Sequence, residues 1–392
     1  MLVFIATRLG YSENKKRNAD QLYKQVEIFS DTLAIIQKEY VDDTKTKDLI
    51  YGALKGMLAS LDAHSQFMDP ETYEELKVDT HGKFGGLGIE ITIKDGLLTV
   101  ITPIEDTPAW KAGVKANDRI VKIDDVLTRE MSLTDAVKKM RGEPGTTVNL
   151  TILRDTEKKL LDFKITRDMI KITDIKYVRI LENGIGYIRL SEFRENTLPE
   201  LNKALGILSH QGMKALIIDL RNNPGGLLDV AVKVTGKFLG PNKLIAYTTG
   251  RQKDQDLQFF SEAKNTNLEL PLAILINEGS ASGSEIVAGA LQDYKRAIII
   301  GKKSFGKGSV QTVIPLADGS ALRLTTSHYF TPSGKIIQGK GVTPDILVEE
   351  NKDDKKPDEI LNKDVFNYKD DAQLIRAINT LRAIVIYKQS KS

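Results

Sequence analysis

Cysteine is missing altogether from the 392 residues, which excludes disulfides, thiol catalysis and thiolate-ligated metals. Histidine is scarce. His64, His81, His210 and His328 are the only four, and no two stand at a metal-ligand spacing, so neither a zinc nor a di-iron centre is expected. Neither sign of charge dominates: a net charge of +3 is too small for a dedicated nucleic-acid binder, whose basic residues crowd one face. Long hydrophobic runs are absent as well. The apolar Met1-Leu2-Val3-Phe4-Ile5-Ala6 falls far short of the ~20 residues that cross a bilayer. Residues 1–18 therefore read either as the remnant of a signal or membrane anchor or as a short disordered arm. What is left is an ordinary globular composition on a chain long enough for two or three domains.

Hydrophobic patterning divides the chain. Within 19–74, Leu22, Val26, Phe29, Leu33, Ile36 and Tyr40 recur at three- and four-residue steps, and the run Leu49 to Leu58 supplies a partner; the spacing predicts a helical hairpin that caps or dimerises. From 75 to 167 short β-like segments take over. Gly85-Gly86-Leu87-Gly88-Ile89-Glu90-Ile91 is a glycine turn running into a strand, Pro108 to Gly113 a short helix, Asn117 to Ile123 a strand, and Leu133 to Met140 an amphipathic helix before the turn Arg141-Gly142-Glu143-Pro144-Gly145. That order of motifs resembles a PDZ domain. The resemblance implies that the loop Phe84, Gly85, Gly86, Leu87, Gly88, Ile89 offers backbone N–H groups to a C-terminal carboxylate, while the peptide adds a strand to the open sheet edge.

From 168 to 350 uninterrupted apolar runs alternate with helices. Gly186–Leu190, Ala215–Leu220, Leu272–Ile276 and Ala297–Gly301 read as strands covered on both faces, with helices over 198–209, 228–239 and 283–294, an α/β pattern. Residues 350–364 read as a surface linker, and Ala372 to Tyr387 as a last amphipathic helix within the tail 351–392.

Three short stretches hold chemistry. In Asn277-Glu278-Gly279-Ser280-Ala281-Ser282-Gly283-Ser284-Glu285 a strand breaks at glycine and a helix begins. A serine there projects from a tight turn, beside helix-start N–H groups that can hold an oxyanion. Alternatively Ser280, Ser282 or Ser284 is an ordinary N-cap. Lys307, framed by Gly306 and Gly308, lies 25 positions after Ser282, enough chain for one helix and one strand to bring them back together. Burial between glycines disfavours the charged amine and suits a base. If 307–311 is extended, Lys307 and Gln311 share a face. In Asp219-Leu220-Arg221-Asn222-Asn223-Pro224-Gly225-Gly226 the loop follows a buried strand, and its glycine amides are candidates for a second oxyanion donor.

Together with Tyr329-Phe330-Thr331-Pro332-Ser333-Gly334-Lys335, these stretches resemble the C-terminal processing (tail-specific) peptidases, a family of serine proteases. The resemblance implies an α/β (α+β multidomain) protein: a crotonase/Clp-protease-like α/β catalytic core, an inserted PDZ domain, and N- and C-terminal helices. It assigns the nucleophile to Ser282, the general base to Lys307, the orienting glutamine to Gln311 and the oxyanion donors to Gly225 and Gly283. Arg141 matches a position that couples tail binding to activity in some members. No metal or organic cofactor is implied. Implied partners are protein substrates with apolar C-termini and an adaptor or activating protein, with self-association through the terminal helices and membrane association through the N-terminal segment. The implied location is the periplasm or cell envelope. A proteolytically silent PDZ scaffold, or a ligand-binding protein on the same fold, is the alternative.

Overall fold

The computed structural model describes residues 3–157, 159–262, 270–349 and 368–390. Two compact units are present, one formed by Met1–Tyr73 with Gln311–Thr325 and the other by Glu74–Val310 with Thr326–Ser392.

In the first unit a helix spans Val3–Glu39 and a second spans Thr46–Ala59. The first begins inside the stretch read above as an arm or signal remnant. Its expected apolar stripe is not buried: Leu22, Val26, Phe29 and Tyr40 are all exposed. Beyond the second helix, the Asp62 carboxylate accepts the N–H groups of His64 and Ser65, each at 2.7 Å, a side-chain turn that redirects the chain. Gln66–Met68 then pairs antiparallel with Ala321–Arg323, burying Phe67 and Met68. The Tyr51 ring meets Phe67 edge-on at 4.8 Å, and its hydroxyl donates to Asp318 at 2.7 Å. A further helix, Pro70–His81, begins in this unit and continues into the second.

The second unit contains the PDZ-like module and the α/β core. The module is an antiparallel sheet in the order Ile89–Lys94, Leu97–Pro103, Arg119–Ile123, Thr147–Leu153, Leu161–Thr166. Helices Pro108–Ala112 and Leu133–Met140 flank it. Alternate residues such as Val148, Leu150 and Ile152 fill its interior. Asp118, 1% exposed, is held by Arg154 at 2.7 and 2.8 Å. The strand Ile89–Lys94 stands at the sheet edge.

The core sheet runs Ile175–Leu181, Ile185–Leu190, Ala215–Asp219, Leu272–Ile276, Ile298–Gly301, Ile346–Leu347; every pairing is parallel except the first. Its strands are apolar throughout because both faces are covered. Ile188, Leu216, Ile218, Ile274 and Ile299 pack under the helices Thr197–His210, Leu228–Gly236 and Gly283–Asp293. Their neighbours in sequence, Tyr187, Ala215, Ile217, Ala273 and Ile300, face the helix Ala372–Gln389. The stretch expected as a linker, 350–364, lies outside the described residues.

Candidate active site

Three consecutive parallel strands end on one edge of the core sheet, and each hands over to one of the stretches singled out by sequence. Ala215–Asp219 leads to the Asn-Asn-Pro-Gly-Gly loop, Leu272–Ile276 to the serine turn, and Ile298–Gly301 to the lysine loop. The crevice beyond the carboxyl ends of such strands is where open α/β sheets carry ligands.

The serine turn is laced to the first loop by side chains. Asn277 Oδ1 accepts Asn222 N–H at 2.9 Å and Gly279 N–H at 3.1 Å, while its Nδ2 donates to Asn222 Oδ1 at 3.0 Å. The Ser280 hydroxyl donates to Leu220 O at 2.8 Å, and the Ser284 hydroxyl to Asn223 O at 2.9 Å. Both flanking serines are thereby committed to the scaffold. The middle one, Ser282, is only partly buried and stands at the N-cap of Gly283–Asp293 with φ 51° and ψ −111°, a backbone conformation that non-glycine residues adopt only where surrounding structure enforces it. The N-cap reading and the projecting-serine reading thus fall on the same residue.

The two expected oxyanion donors differ in state. Gly283 N–H donates to no protein group among the described residues and lies at the positive end of the helix. Gly225 N–H is already engaged, donating to Asn223 Oδ1 at 2.9 Å. Gly225 packs hard against the serine turn: at φ +106°, a Cβ there would lie 2.7 Å from Ser282 Cβ and 2.8 Å from Gly283 N.

Glu285 joins the serine turn to the lysine loop, and sequence reading gave it no role. Fully buried, its carboxylate accepts Ser282 N–H (2.8 Å) and Lys307 N–H (2.9 Å) on Oε2, and the Ser304 hydroxyl (2.5 Å) and Gly306 N–H (2.7 Å) on Oε1. Burial pushes the carboxyl above its ordinary value, and the four donors oppose that rise. Four donors on two oxygens match the ionised form. The only sequence signal was the Ser-x-x-Glu spacing of a capping box. On the other side, the Tyr329 hydroxyl lies 3.0 Å from Ser282 O and 2.5 Å from Lys307 O.

One expectation is corrected. The strand begins at Ser309 and runs to Pro315, so Lys307 precedes it, next to Gly306 at φ +95°, and strand alternation does not relate it to Gln311. Gln311 lies within the strand, with Nε2 3.5 Å from Thr325 Oγ1.

In the PDZ-like module, Phe84, Gly85 and Gly86 form not an open loop but a two-stranded ladder with Asp168–Ile170, leaving Leu87–Gly88 as the turn into Ile89. Gly85 O accepts Gly142 N–H at 3.1 Å, and a Cβ on Gly85 would meet Gly142 O at 2.1 Å. The Arg141 guanidinium lies 4.6 Å from the Phe84 ring centre.

Comparison with known proteins bears on this geometry. A carboxy-terminal-processing protease of Bartonella bacilliformis is 48% identical over 337 residues, covering 85% of this chain and 77% of that protein. The chain belongs to this peptidase family. Peptidase family S41 matches residues 184–348, a PDZ domain matches 99–154, and the N-terminal domain of the activating protease CtpB matches 6–72. A carboxyl-terminal-processing protease of Picosynechococcus is 38% identical over 319 residues, 80% of this chain and 76% of that protein. An S41-family structure from Bacteroides fragilis covers 90% of this chain and 97% of its own with a TM-score of 0.53 at 16% identity, which shows a shared fold. This member of the family is accordingly a PDZ-containing serine peptidase on an α/β core, as the motifs implied.

Proposed function

We propose that Ser282 is the nucleophile and Lys307 the general base of a Ser–Lys endopeptidase. The observation that carries this reading is that Ser282 N–H and Lys307 N–H meet on a single oxygen of Glu285, at 2.8 and 2.9 Å. In this mechanism Ser282 Oγ attacks the scissile carbonyl carbon while its proton passes to the neutral Lys307 amine. The oxyanion rests on Gly283 N–H, and Gly225 joins once Asn223 releases its N–H. Collapse breaks the C–N bond, with the proton passing from Lys307 to the leaving amine. Water then attacks the acyl-serine, giving one proton to Lys307, which returns it to Ser282 as the C–O bond breaks and the product carboxylic acid leaves to ionise in solvent. Gln311 serves as the orienting residue.

The PDZ module captures apolar C-terminal tails of unfolded or loosely folded proteins, with the tail pairing along the edge strand Ile89–Lys94 and its carboxylate at the turn Leu87–Gly88 that leads into it. Arg141, packed on Phe84, couples that capture to the active arrangement. Self-association through the exposed stripe of Val3–Glu39, an activating partner, a membrane-associated N-terminal segment and a periplasmic or envelope location complete the reading. Among the described residues no helix is long and apolar enough to cross a membrane.

The test uses an unfolded substrate with an apolar C-terminus and mass spectrometry of the products. Ser282→Ala and Lys307→Ala are each expected to lower the cleavage rate by at least about 10³-fold. Cleavage that survives Ser282→Ala would remove the nucleophile assignment.

A further inference from the structure

The Ser282 and Lys307 peptide units are gripped from two sides. Glu285 takes both of their N–H groups, and Tyr329 reaches both of their carbonyls. Tyr329 is 2% exposed and sits on the strand Ala321–Phe330, with its own N–H on Gly308 O at 2.8 Å. A phenol carries one proton, so a hydroxyl within hydrogen-bond reach of two carbonyls is shared between them. Ser282 O already accepts Glu285 N–H and Ile286 N–H as the first helical acceptor. The contact is therefore not needed to satisfy that carbonyl, and what it adds is a link between two segments.

We propose that Tyr329 is a positioning residue of the hydrolytic step: its hydroxyl holds the Ser282 turn and the Lys307 loop at a fixed separation, opposite the Glu285 carboxylate. The inference rests on the assignment of Ser282 and Lys307 made above. Tyr329 touches neither substrate nor the reacting atoms in this role. It acts through backbone placement, and misplacement of reacting groups by about 1 Å costs on the order of 100-fold in rate.

Tyr329→Phe keeps the ring and deletes only the shared hydroxyl. Tyr294→Phe is the control: the Tyr294 hydroxyl donates to Leu244 O at 2.9 Å, the same chemistry away from the site. Full-length variants are compared on an internally quenched peptide with an apolar C-terminus, together with the rate at which a fluorophosphonate labels Ser282, each expressed per folded molecule. Tyr329→Phe is expected to lower kcat and the labelling rate by about 10- to 100-fold with KM unchanged, while Tyr294→Phe leaves both rates intact. Combined with Glu285→Gln, the two losses are expected to be less than multiplicative, since both act on one separation. If Tyr329→Phe keeps the parental kcat and labelling rate while Ser282→Ala is inactive, the inference falls and the site assignment stands. If Ser282→Ala still cleaves, the assignment falls and the inference with it. An equal loss in Tyr294→Phe would also overturn the positioning role, because it would trace the effect to general loosening.

Discussion

A buried carboxylate is costly unless donors surround it, and Glu285 is surrounded by four. Its burial serves geometry, because each donor belongs to a segment that must meet another. Gly225 is a second residue whose identity follows from a contact. It has φ +106° and lies against Ser282 Cβ and Gly283 N, so no side chain fits without moving the serine turn. Gly225→Ala is therefore expected to destabilise by about 1–3 kcal/mol through overpacking and to lower cleavage well beyond that loss of folded protein. Urea unfolding and a peptide assay on the same preparation check the split.

Among the elements, the helix Ala372–Gln389 is tied to the loop after Ala215–Asp219 by a buried ion cluster. Arg221, 1% exposed in its side chain, binds Asp219 at 2.6 Å and Asp371, the N-cap of that helix, at 2.7 Å. Tyr187 donates to Asp219 at 2.8 Å, and Gln373 Oε1 accepts from Arg221 at 3.2 Å. Arg221→Leu would leave two buried carboxylates facing each other without their cation, a change expected to cost about 3–5 kcal/mol. The midpoint of urea unfolding, followed by circular dichroism, reads this directly; an unchanged midpoint would show that the cluster is not structural. Sequence placed the helix and the loop separately. Their joining at Arg221 depends on a separation of 150 residues between Arg221 and Asp371 that no local pattern encodes.

For the molecule as a whole, two buried carboxylates make stability depend on pH in opposite senses. Burial pushes the Asp219 carboxyl up, but the Arg221 charge and its hydrogen bonds outweigh this and hold it below the ordinary aspartate value. Its contribution is present above the unfolded value and is lost as pH falls through the lower folded one. Glu285, raised above 4.5 by burial, binds its proton more tightly when folded. Its contribution is complete below the unfolded value and is lost as pH rises through the folded one. Urea midpoints measured from acid to neutral pH are expected to show an acid limb below 3.8 that becomes shallower in Asp219→Asn. An unaltered limb in that variant would place the acid sensitivity elsewhere.

Local pattern by itself determined the strands buried on both faces, the helices between them and the three stretches from which the candidate site is built. Each depends on residue spacing or on a backbone conformation that only certain side chains allow. Tertiary structure alone decided how those stretches meet. Glu285 looked like a helix-start glutamate and proved to be the acceptor common to Ser282 and Lys307; Tyr329 looked like one residue of a motif and spans both of their carbonyls. It also decided that Lys307 precedes its strand, that Phe84–Gly86 is paired and that Gly225 N–H is taken by Asn223. The bonds from Glu285 to Lys307, from Tyr329 to Ser282 and from Phe84–Gly86 to Asp168–Ile170 join segments far apart in the chain, and the energy that selects them comes from burial and from donors that must find acceptors, neither of which a local pattern can count.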